Sequence, residues 1–144
     1  MMQHHSFYLK NDNQQGEIAI YRLAKGIKIK TSHLDTFAEY VDTGCFEPDI
    51  RLIFALEGTT HLQFGEQSIR LTAGSMQEGV LLPLNQVEQG SKVFHIGHQN
   101  ELVCFFSSIH LEMLGCPLYV IKALRQAHLQ PHEAARDKSA RFLR

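Results

Sequence analysis

The hydrophobic rhythm of the chain changes near Ser107. Before it, short apolar runs are separated by Gly, Asn, Asp and Pro; after it, apolar residues recur at helical spacing. Residues 17–22 alternate. Residues 27–33 set Ile27 and Ile29 against Lys28 and Lys30, the pattern of a strand with one buried face. A strand is expected at 37–42. Residues 50–56 are apolar on both faces, as a central strand would be. Glu57-Gly58 marks a turn or bulge, 59–64 alternates again, Gly65-Glu66-Gln67 closes a hairpin, and Ile69 and Leu71 continue it. Ala73-Gly74 leads into a strand at 75–82. Strands at 91–96 and 101–106 are joined by residues 97–100. Turn signals at roughly every eight to twelve residues predict a sandwich or barrel rather than a βαβ unit. His4 and His5 read as part of a loose terminus.

Beyond Ser107 three helices are expected. Ser107 or Ser108 caps 109–114, and Gly115 with Pro117 stops it. Residues 118–129 carry one apolar stripe through Leu118, Ile121 and Leu124. Pro131 suits the first turn of a last helix running to Arg144. The predicted organisation is a β-barrel over 1–107 and helices over 108–144 packed on the same domain.

Composition narrows the class. The chain has 144 residues, 44% of them hydrophobic and 20% charged, which is the profile of one globular domain. Formal net charge is −1, but residues 122–144 carry a net of +4, leaving −5 on the rest. Blanket attraction to nucleic acid or anionic lipid is thereby excluded as the basis of function. The basic stretch is too short for a helix-turn-helix with its own core, so specific DNA binding by this chain alone is not expected. The 3 cysteines, Cys45, Cys104 and Cys116, form no CxxC pair, which favours reduced thiols. Cys104, in the apolar run 102–106, is expected to be unreactive. With no apolar stretch near the roughly 18 residues of a membrane span and no signal-peptide pattern, the expectation is a soluble cytoplasmic protein without a membrane partner.

Candidate chemistry is sparse. There are 9 histidines but no HxH pair. His128 and His132 are four apart with Pro131 between them, His95 and His98 straddle Gly97, and His61 lies on the polar face of its strand. These read as surface or hydrogen-bonded histidines, so neither a metal nor another cofactor is expected. GxSxG, HExxH and recognisable Cys–His spacings are absent, and the glycines fall between strands rather than in a phosphate-binding loop. No catalytic residue is predicted.

Segment 50–115 resembles the N-terminal sensor half of AraC-type transcription regulators. The carrying residues are Leu52-Ile53-Phe54-Ala55-Leu56-Glu57-Gly58, a hairpin with Phe64-Gly65, then Ile69-Arg70-Leu71-Thr72-Ala73-Gly74-Ser75-Met76. The run 104–114 matches the strand and short helix that often close that half. Ser75 stands where the family most often has Asp, and only His61 follows Gly58 where metal-binding cupins need paired histidines.

The resemblance implies a mainly β, cupin-like double-stranded β-helix (a jelly-roll barrel) followed by C-terminal α-helices. It further implies a small-molecule effector in the barrel and a homodimer formed through helices, with Leu118, Ile121 and Leu124 at the contact. DNA would be bound only through a helix-turn-helix domain outside this chain. Either an excised sensor domain or a stand-alone relative fits. Alternation nominates Phe54, Leu56, Leu62, Phe64, Leu82, Val103 and Phe105 as lumen residues, with Arg51 as anchor for an acidic effector group. On this reading the chain is not an enzyme. The alternatives are a cupin-type isomerase or dioxygenase and a stand-alone small-molecule-binding module.

Overall fold

A computed structural model describes residues 3–24, 26–84 and 86–107. Their regular elements are ten strands: β1 (Gln3–Lys10), β2 (Gln14–Ala24), β3 (Ile27–Thr36), β4 (Tyr40–Phe46), β5 (Ile50–Glu57), β6 (Thr59–Phe64), β7 (Gln67–Thr72), β8 (Gly79–Pro83), β9 (Glu88–Phe94) and β10 (Gly97–Phe106). All pairings are antiparallel. One sheet has the order β1-β2-β3-β10-β5-β8, the other β4-β9-β6-β7. The mainly β expectation therefore holds for the described residues, and the expected helices lie outside them.

Alternation places the core. On β10, Glu101 and Val103 are buried while Leu102 and Cys104 are only partly so. β10 aligns Val103 with Lys30 of β3 on one side and Ile53 of β5 on the other. Ile53, Ala55, Leu62, Phe64, Leu71, Val80, Leu82, Leu84 and Val103 form the apolar cluster. Two glycines allow the crossings to be tight. Gly58 (φ 74°) joins β5 to β6, and an added Cβ there would lie 2.1 Å from the His98 carbonyl oxygen. Gly65 (φ 62°) begins the two-residue β6–β7 turn, where the favoured hairpin turns need positive φ.

Several boundaries differ from the pattern. The N-terminus is not loose: β1 pairs with β2 from Gln3↔Arg22 to Lys10↔Gln15, and His4 stacks on Tyr21. Its residues are nearly all exposed, so no buried face wrote an alternation into the sequence. The β1–β2 turn is held by Asn11, whose Oδ1 accepts from the backbone N–H of Asn13 and of Gln14, each at 2.8 Å. The strand expected at 37–42 is displaced to β4. The one expected at 75–82 begins only at Gly79, because Ser75 Oγ donates to Thr72 O and accepts from Gln77 N–H, prolonging the turn. Residues 97–100 are not a connection but the start of β10.

Candidate functional site

The two sheets enclose a cavity of about 250 Å³. Strand pleating explains its lining. Lys30 projects inward from β3, Arg51 and Ile53 from β5, Leu62 from β6, Lys92 from β9, and Glu101, Val103 and Phe105 from β10; β4 contributes residues 42–46. The register makes rows across the larger sheet: Ser32–Glu101–Ala55, Lys30–Val103–Ile53 and Lys28–Phe105–Arg51. Across the smaller sheet, Lys92 lies between Asp42 and Leu62.

Glu101 is 1% exposed. Its carboxylate accepts from Lys92 Nζ at 2.7 Å and from Thr60 Oγ1 at 2.8 Å. Burial by itself would raise its pKa, but Lys92, Lys30 and these hydrogen bonds outweigh that and hold it below the usual carboxylate range. Glu101 is therefore an anion with a hydrogen bond on each carboxylate oxygen. Lys30 is the opposite case. Among the described residues its ammonium has no hydrogen-bond or ion-pair partner. Burial, then the neighbouring Lys92, lower its pKa to about 8; Arg51 and Lys28 act in the same direction and Glu101 opposes them. Arg51 sits under an aromatic bracket. Its Nε donates to Asp49 at 2.7 Å and Nη2 to the Glu47 carbonyl at 3.3 Å, while the guanidinium lies 4.9 Å from the Phe46 ring centre and 5.0 Å from that of Phe105.

The structure places Arg51, Leu62, Val103 and Phe105 on the cavity wall. Phe64 and Leu82 are buried in the apolar cluster instead. Phe54 and Leu56 are corrected: both point out of the barrel, Phe54 against Gly79 and Leu56 at 55% exposure. In the run 50–56, apolar on both faces apart from Arg51, no alternating polar face fixes the phase, and the inward set is Arg51, Ile53 and Ala55. Lys30, Lys92 and Glu101 escaped sequence reasoning because a charged residue in an alternating strand ordinarily marks the solvent face. Leu118, Ile121 and Leu124 lie outside the described residues. Cys104 is half-buried, and burial pushes its thiol pKa up.

A second cluster lies on the outer face of the smaller sheet. His61 Nδ1 is 3.0 Å from His95 Nε2, His61 Nε2 is 2.7 Å from Ser68 Oγ, and His95 Nδ1 is 3.2 Å from Glu39 Oε2. Burial, then Arg70 and His95, lower the His61 pKa. A barrel lumen and a histidine cluster are both places where a protein can hold a metal ion. Among the described residues no group of three or more His, Cys, Asp or Glu side chains is placed to hold one. The lumen offers mainly ammonium and guanidinium groups, and its Glu101 is tied to Lys92. This donor set does not suit a divalent cation. A larger cleft of about 640 Å³, including Arg22, Lys28, Asp49 and Phe106, abuts Ser107 beside the undescribed segment; the lumen is walled by both sheets. Among the described residues no helix is long and apolar enough to cross a membrane.

No protein-family model and no curated protein sequence matches the chain. Solved structures do. FeII HppE aligns with a TM-score of 0.53 at 11% identity, over 72% of this chain and 57% of that one. Hydroxypropylphosphonic acid epoxidase from S. wedmorenis gives 0.49 at 13%, over 70% and 55%. A cupin-2 domain containing protein from Shewanella frigidimarina gives 0.43 at 16%, over 58% and 72%. The chain thus spans little more than half the length of the first two. The expectation that it is not an enzyme is corrected by this comparison: enzymes are among its structural neighbours. At these identities the likeness is one of architecture, and the described part of the chain is a mainly β domain of the cupin fold.

Proposed function

We propose that the barrel binds a small anionic metabolite and that the domain acts as the effector-sensing part of an AraC-type regulator. One observation carries the binding reading: an unpartnered Lys30 ammonium faces the cavity among further cations. Its pKa is lowered partly by Lys92, Arg51 and Lys28, so an entering anion would offset a repulsion the empty barrel sustains. Arg51 adds a guanidinium close to the Phe46 and Phe105 rings, with hydrogen-bonding capacity beyond its bonds to Asp49 and Glu47. The volume of about 250 Å³ suits a metabolite smaller than a drug-sized ligand.

The regulator reading is supported by the sequence resemblance over 50–115. It makes the protein a homodimer through Leu118, Ile121 and Leu124, with DNA contacted only by a separate helix-turn-helix domain. Signalling would require the effector to bind two states of the domain unequally.

Titration calorimetry with small mono- and dicarboxylates tests the binding reading. Saturable binding that weakens at least tenfold in Arg51→Ala is expected. Equal heats in wild type and variant, or preference for a neutral analogue, would refute it. Sedimentation of the wild type as a monomer at micromolar concentration would refute the dimer, with Ile121→Asp/Leu124→Asp as the disruptive control.

A further inference from the structure

We propose that Lys30 is an amine nucleophile that captures the carbonyl carbon of a small carboxylate bearing an aldehyde or ketone, as a Schiff base in the barrel lumen. This rests on the reading of the lumen as an anion site and names the class of ligand it takes. The geometry supplies three requirements. The amine lines a cavity between the two sheets that is partly open to solvent. Among the described residues no hydrogen bond or ion pair clamps it: Glu101 acts on it as a neighbouring charge but gives its oxygens to Lys92 at 2.7 Å and Thr60 at 2.8 Å. A separate cation is available for the ligand's carboxylate, since Arg51 lies one strand beyond β10 and two residues further along the register (Lys30↔Val103↔Ile53, then Phe105↔Arg51). Ile53, Leu62 and Val103 line the same cavity as an apolar floor for the carbon chain.

The protonation state agrees. The groups facing Lys30 are Lys92 and Asp42 across the lumen, Glu101 and Arg51 on the larger sheet, and Lys28 on its own strand. With its pKa lowered to about 8, a substantial fraction of the amine is neutral at physiological pH, whereas an ordinary lysine is almost wholly protonated. In the reaction the nitrogen lone pair attacks the carbonyl carbon and the C=O π pair moves to oxygen, which takes up a proton. The nitrogen then loses a proton to solvent; the hydroxyl takes up a second proton and departs as water as the nitrogen lone pair forms the C=N bond, and the resulting protonated imine returns that proton to solvent to give the imine. Amine plus carbonyl gives imine plus water, with no change in oxidation state.

The test uses the full chain with pyruvate or glyoxylate and cyanoborohydride, which reduces an imine to a stable secondary amine, followed by peptide mass mapping. Lactate serves as the carbonyl-free analogue. The reduced adduct should form at Lys30 at least tenfold faster than at the average of the other lysines, and excess lactate should slow it. Its rate should rise with pH through a midpoint near 8 and level off above it, while labelling at surface lysines keeps rising. Lys30→Arg should remove this adduct, and circular dichroism checks that the variant is folded; the wild-type pH profile and lactate competition stand without it. Labelling spread over exposed lysines, with Lys30 unexceptional, would overturn the proposal. If calorimetry then still shows pyruvate and lactate binding alike, only covalent capture fails. If neither acid binds, the anion-site reading fails with it.

Discussion

The barrel interior has two unlike sides. Between β5 and β8 on one sheet and β6 and β7 on the other, Ala55, Phe64, Leu71, Val80 and Leu82 are packed to 8% exposure or less. Between β3 and β10 on one sheet and β4 and β9 on the other, the inward positions hold Lys30, Glu101, Asp42 and Lys92. The apolar side closes because dispersion and the hydrophobic effect reward every contact. The charged side does not close. Its cations repel one another, and its single fully buried carboxylate neutralises Lys92 without pairing Lys30. The difference shows where a small barrel keeps a ligand-sized space: at the side whose side chains resist packing without a counterion.

Five measurements would sharpen or break this contrast. The largest effect is expected from Glu101→Gln, which leaves Lys92 and Lys30 facing each other without a counter-charge. A loss of about 3–5 kcal/mol by urea denaturation is expected, with part recovered by adding Lys30→Met. A cost below 1 kcal/mol would mean that water already screens the site. Leu71→Ala, at a position with 0% exposure, should cost about 3 kcal/mol through lost burial and a new void on the closed side. It should leave carboxylate binding unchanged.

Lys30→Met should act in the other direction, stabilising the empty protein by about 1–2 kcal/mol at neutral pH while abolishing anion binding. The pH dependence follows from the same group. Its folded pKa of about 8 is below its ordinary value of 10.5, so between these the unfolded chain holds more protons. Wild-type stability should therefore gain a contribution as pH rises from about 8 to 10.5. Absence of that gain relative to Lys30→Met would remove the argument for a strained ammonium. The smallest effect concerns the outer face. Because the His61 pKa is lowered below its ordinary 6.5, its contribution to stability is present above that value and declines on acidification. His61→Asn should flatten this acid limb in a thermal-shift pH series without touching the lumen.

The fold was more legible than the site. Residues 59–64 alternate with Leu62 and Phe64 on the inner face, and the pattern recovers the strand to the residue, although His61 on the opposite face is buried too. β1 left no such mark, since both its faces are largely exposed and its place depends on backbone pairing to β2. Arg51 was legible because a lone charge in an apolar run is conspicuous. Lys30 was visible only as the polar half of a half-buried strand, and the phase of 50–56 was undetermined.

By itself the sequence determined a β-rich chain with hairpins at its glycines, because period-two alternation and turn chemistry are local properties. It also supplied the resemblance to regulator sensor domains. Only the tertiary structure decided which face of each strand looks inward. Lys30, Lys92 and Glu101 come from three strands spread over more than 70 residues. Closing the two sheets against each other sets Glu101 between Lys92 and Thr60 and leaves Lys30 in the cavity beside them. Charge compensation is a property of distances across a barrel, and no local pattern encodes it.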